Sequence, residues 1–128
     1  MKETFHDHIG KCRKKGIMDI QIVIDDLRNM GIGRQYLGYK LIIKAVRMIL
    51  EDDNRLLCIK REIFLPLAEQ EHCDWRTIER NLRTIIHRAW KINRDYLIIL
   101  ARYPTNQEPT VTEFVEILSE HAMKGRFK

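Results

Sequence analysis

Six side chains that can carry positive charge recur at helical spacing in the middle of the chain: Arg76, Arg80, Arg83, His87, Lys91 and Arg94. Advancing about 100° per residue from Arg76 brings Arg80, Arg83, His87 and Arg94 within about 40° of it and Lys91 near 60°. Ile78, Leu82, Ile85 and Ala89 fall between about 180° and 240°, so a helix here buries one face and turns a row of cations outward. The chemistry of such a row is anion recognition. An arginine fork matches guanine O6 and N7, and a glutamate such as Glu79 accepts from cytosine N4. Arg76, Glu79, Arg80 and Arg83 lie on the first two turns, the part of a recognition helix that reaches base edges. His87, Lys91 and Arg94 follow, at positions suited to phosphates. Residues 74–94 hold six Lys and Arg against two acids, which accounts for most of the chain's formal charge of +5.

These residues must be held by the elements around them. Asp74 is suited to cap the helix, whose 3.6-residue period runs to about Lys91. In front of it the sequence predicts a short helix over about 66–71, with Pro66 at its first position, where a missing N–H costs nothing. A turn at 72–74 completes a helix-turn-helix over about 66–91. Upstream, Ile17, Ile20, Val23, Ile24, Leu27 and Met30 predict a helix stopped by Gly31. Leu37, Leu41, Ile42, Ala45, Val46, Ile49 and Leu50 predict a second, ended by the turn-forming residues 51–54. Leu56, Leu57, Ile59, Ile63 and Phe64 predict a short third. The apolar run 96–101 fits a short helix or a strand by periodicity, with helix the expectation. Thr110 and Glu113 form a capping box for a last helix that buries Phe114, Ile117, Leu118 and Ala122. The expected fold is therefore all-α, with about six helices in one domain over 17–128. A flexible basic arm, 1–16, carries five cations against two acids. Its cluster from Lys11 to Lys15 could enter a minor groove.

Composition narrows the function. The chain is 45% hydrophobic and 32% charged, which suits a folded, soluble module rather than a disordered one. Its longest apolar run, 96–101, is far shorter than the roughly 20 residues that span a bilayer, and the start lacks an apolar signal segment. The three cysteines, Cys12, Cys58 and Cys73, form no CxxC pair, so neither a disulfide framework nor a zinc knuckle is expected, and a reducing cytoplasm fits. His6, His8 and Cys12 lack a fourth ligand, so no metal is expected. His72, Cys73 and Asp74 are neighbours in sequence and unsuited to a nucleophile–base–orienter geometry. With no phosphate-cradling loop, HExxH or G-x-S-x-G, an enzyme, a cofactor and a small-molecule substrate are not expected.

The residues that carry a family likeness are the stretch GYKLIIKAVRM from Gly38, Leu56-Leu57, the Leu65-Pro66-Leu67-Ala68 entry to the helix-turn-helix, IERNLRTIIHRAW from Ile78 to Trp90, and PTVTEF from Pro109. In these the chain resembles the C-terminal DNA-binding effector domain of the sporulation master response regulator, stage zero sporulation protein A, over about 20–120. The resemblance implies an all-α domain that reads a short promoter element in the major groove, often as a homodimer on tandem sites. By position it implies DNA contact for Glu79, Arg80 and Arg83 and a packing role for Trp90. The chain departs from the family at Thr77, where an arginine is usual, at Thr84, where a histidine is expected, and in a shorter connection between Trp90 and Pro109. The residues before Ile17 cannot build a receiver domain, so an effector domain standing alone is expected. Asp25 and Asp26 lie on an amphipathic helix and are not expected to accept phosphate.

The expected function is sequence-specific binding of double-stranded DNA by a cytoplasmic transcriptional regulator, nucleoid-associated when bound, that reads the major groove with the helix from Asp74 to Lys91. The alternative is a helical protein-interaction module that kept the fold and lost operator binding. RNA is disfavoured, because the aromatic platform used for single strands is missing.

Overall fold

The computed structural model describes residues 20–102 and 106–125. Among these every regular element is helical: α1 at 20–29, α2 at Leu37–Glu51, α3 at Leu65–Glu71, α4 at Trp75–Ala101 and α5 at Val111–Gly125. A 3-10 helix, Asp53–Cys58, and a π-helical segment, Lys60–Phe64, join α2 to α3. The expected basic arm, the possible ligands His6, His8 and Cys12, and the start of the first helix at Ile17 lie outside the described residues.

Helix ends follow local chemistry. At the end of α1 the Gly31 N–H donates to the Arg28 carbonyl at 3.0 Å and the Ile32 N–H to the Leu27 carbonyl at 2.9 Å, with Gly31 at φ +76°. This is the paired closure in which a left-handed residue satisfies the last carbonyls, and buried Ile32 adds its apolar contact. Helix α2 stops where expected, and the Asp52 carboxylate then accepts the Asn54 N–H. The capping box of α5 has both its bonds: the Glu113 N–H donates to Thr110 Oγ1 at 3.1 Å and the Thr110 N–H to Glu113 Oε1 at 2.9 Å. Val23, Leu27, Leu41, Val46, Ile49, Leu67, Ile78, Leu82, Ile85, Phe114 and Leu118 are buried in a core where α2, α4 and α5 pack against one another. Among the described residues no helix is long and apolar enough to cross a membrane.

Three expectations change. The third and fourth helices are not separated at Pro66. The backbone is already helical at Ile59, and the chain reaches α3 through the π-helical segment, with the Leu65 N–H donating to the Lys60 carbonyl. Widening the coil upstream lets a residue without an N–H, second in α3, follow a helix without a break. Leu57, counted as an apolar helix residue, is 85% exposed. The long helix does not end near Lys91. It runs to Ala101 with a kink at Asn93, whose φ of −151° and ψ of 67° leave the helical region. The Asn93 side chain then accepts the Tyr96 N–H at 3.3 Å, as an N-cap does, and donates to the Asn29 carbonyl at 3.0 Å. The run 96–101 is accordingly helix.

Candidate nucleic-acid interface

The helix-turn-helix is built from α3, a turn and the first turns of α4. His72 takes the left-handed conformation, φ 56° and ψ 47°, and the N–H groups of His72 and Cys73 close onto the carbonyls of Glu69 and Ala68. Histidine tolerates this region better than most residues, so a turn usually given to glycine forms here without one. Asp74 caps α4 by accepting the Arg76 N–H at 2.8 Å. Ile78, Leu82, Ile85, Ile86 and Ala89 are buried on the inner face. The outer face is thereby turned to solvent.

Two anchors set the motif on the core. Glu71, at the end of α3, lies between Lys40 Nζ at 2.8 Å and Lys44 Nζ at 2.7 Å on α2, and these ammonium hydrogen bonds hold its carboxyl down at about 2. Arg88, one of the six Lys and Arg counted on this helix, faces inward: its Nε donates to the Gly31 carbonyl at 2.8 Å and its guanidinium lies over the Tyr36 ring. At the far end of α4, Asp26 is 1% exposed and accepts the Tyr96 hydroxyl at 2.6 Å. His121 Nδ1 lies 2.6 Å from its other oxygen. Burial and the neighbouring Asp26 push the Tyr96 phenol up to about 12. Asp26 is thus occupied in joining α1, α4 and α5, while Asp25 is exposed beside Gln21 and Arg28.

Arg76, Glu79, Arg80, Arg83 and His87 come together around one shallow groove of about 470 Å³, completed by Thr84 and Glu108. Each cation has a local partner. Arg76 pairs with Asp74 at 3.5 Å and lies over the Trp75 ring. Arg80 donates to Thr77 Oγ1 at 3.4 Å. Arg83 pairs with Glu79 at 2.9 Å. His87 Nδ1 lies 2.9 Å from Glu108 Oε1. Thr84 donates to the Arg80 carbonyl. Lys91 and Arg94 are exposed but do not line the groove. The kink at Asn93 separates Arg94 from the straight part of the helix that carries the other cations, and its guanidinium lies 4.5 Å from the centre of the Trp90 ring.

Two groups escaped sequence reasoning. Lys60, from the π-helical segment, lies 4.2 Å from the centre of the Trp75 ring, and Phe64 stacks parallel to that ring, so a further cation sits at the entry to α4. Glu108, from the segment before α5, brings an acid to the cation row. Neither has a periodic signal linking it to α4. Cys58 and Cys73 are free thiols, and among the described residues no group of His, Cys, Asp and Glu is arranged to hold a metal ion.

In a comparison with known families, the model for the sporulation initiation factor Spo0A C terminal matches residues 23–122 of this 128-residue chain. No curated protein matches it at a significant level.

Proposed function

Because the chain belongs to the sporulation initiation factor Spo0A C-terminal family, a family of DNA-binding regulatory domains, we propose that it binds double-stranded DNA sequence-specifically and reads the major groove with the first turns of α4. The observation that carries this reading is the groove on which Arg76, Glu79, Arg80, Arg83 and His87 converge, on the outer face of a helix-turn-helix whose inner face is buried. In this reading Arg80 and Arg83 reach base edges, with Glu79 orienting the Arg83 fork, while Lys91 and Arg94 contact phosphates further along. Arg76 and Lys60, both set against Trp75, supply charge where the helix enters the groove. The protein then acts in the cytoplasm on promoter DNA, as a homodimer where sites occur in tandem.

Selecting bound duplexes from a random pool and titrating the winner at several salt concentrations tests this. A preferred sequence is expected, with log affinity falling linearly against log salt as lysines and arginines displace counterions. If no duplex binds measurably at low salt, the reading is overturned in favour of a protein-interaction module.

A further inference from the structure

All the groove's lining residues come from α4 except Glu108. Its position is set by the fold. Pro109, with its fixed φ, follows it, and Thr110 is tied into the α5 capping box. Val111 and Phe114 are buried just beyond. The segment from Glu108 to Thr112 also shares a recess of about 310 Å³ with Glu79, Arg83 and Ile86, so it is seated against the recognition helix. The Glu108 carboxylate lines the same groove as Arg76, Arg80 and Arg83, and its Oε1 lies 2.9 Å from His87 Nδ1. Two consequences follow for an incoming duplex. A phosphate approaching this groove meets a fixed negative charge, and His87 is already engaged. Contacts to phosphate, which dominate non-specific binding, are therefore weakened on every sequence. Contacts to base edges are not, since base amino groups can donate to a carboxylate.

We propose that Glu108 is a specificity-determining residue that penalises docking through phosphates alone and so raises the ratio of specific to non-specific DNA binding. The proposal rests on the DNA-binding reading above. It is tested on the full chain by titrating a selected duplex and its scrambled counterpart with wild type, Glu108→Gln, Glu108→Asp and Glu116→Gln. Glu116 is exposed on α5 and does not line the groove, so its substitution makes the same change in net charge elsewhere. Glu108→Gln is expected to tighten binding to scrambled DNA about 3- to 10-fold, as expected for removing one nearby, partly screened charge. The selected duplex should gain less, so the ratio falls. Glu108→Asp keeps the charge and should keep most of the discrimination, and Glu116→Gln should leave the ratio unchanged. The proposal is overturned if Glu108→Gln raises both affinities by one factor or neither, if Glu108→Asp loses as much discrimination as Gln, or if Glu116→Gln lowers the ratio equally. If wild type binds no duplex, the DNA-binding reading falls with it; if wild type discriminates and Glu108→Gln discriminates as well, only the role of Glu108 falls.

Discussion

Along α4 the cations divide by what each touches. Arg88 is spent on the Gly31 carbonyl and the Tyr36 ring, so its side chain belongs to the scaffold. Arg80 and Arg83 are held by short-range partners one turn away, Thr77 and Glu79. Such exposed contacts add little to stability but restrict the rotamers from which a guanidinium fork can approach a base. Lys91 is exposed and outside the groove. Arg80→Ala or Arg83→Ala should each cost about 1 to 3 kcal/mol on a selected duplex and much less on a scrambled one. Lys91→Ala should weaken both about equally and reduce the salt slope by about one. Titrations of each variant on both duplexes at several salt concentrations check this. An equal loss on both duplexes for Arg83→Ala would remove its base-reading role.

Between elements, α2 and α4 approach each other closely at Gly38. A Cβ at Gly38 would stand 2.5 Å from the Asn81 carbonyl oxygen and 2.7 Å from Ile85 Cγ2. The first of these is backbone of α4 and cannot turn aside. Gly-to-Ala changes at open helical positions stabilise, by about 0.5 to 1 kcal/mol. Gly38→Ala should instead destabilise by about 1 to 3 kcal/mol, because the two helices must separate. Urea unfolding measures the sign as well as the size, and a more stable variant would show that the crossing has slack. The same contact ties the site to the core: α4 is positioned by α2 directly at Gly38 and, through α3, by Glu71 between Lys40 and Lys44.

For the whole molecule, two groups set opposite ends of the pH range. Glu71 is held at about 2 against an ordinary 4.5, so its contribution is complete above pH 4.5 and is lost as pH falls from there towards 2. Tyr96 is raised to about 12 from 10, so its contribution is complete below pH 10 and is lost as pH rises towards 12. Glu71→Gln should lower stability at neutral pH and flatten the acid side of the profile. Tyr96→Phe should leave buried Asp26 short of a donor, lower stability at neutral pH and remove this loss above pH 10. Denaturant unfolding across pH, for both variants and wild type, checks each limb. An unaltered acid limb in Glu71→Gln would mean that the Lys40–Glu71–Lys44 cluster does not hold the helix-turn-helix to α2.

What the sequence by itself determined is what near neighbours decide. The periods of α2, α4 and α5, the stop at Gly31, the Asp74 cap and the Thr110–Glu113 box all depend on residues within a turn or so of one another, so their signals are local and were legible. The grouping of Arg76, Glu79, Arg80, Arg83 and His87 was legible for the same reason, since one helix carries all five. The kink was harder to see. Asn93 breaks the helical pattern only weakly, and its second hydrogen bond goes to Asn29 on the far side of the chain. Tertiary structure alone decided that Glu108 meets His87 across 21 residues, that Lys60 lies over Trp75, that Glu71 docks on α2, and that Asp26 is buried against Tyr96 and His121. Each of those pairs is made by the packing of one element on another, and the spacing of side chains along a single helix does not determine which remote groups that packing brings within reach.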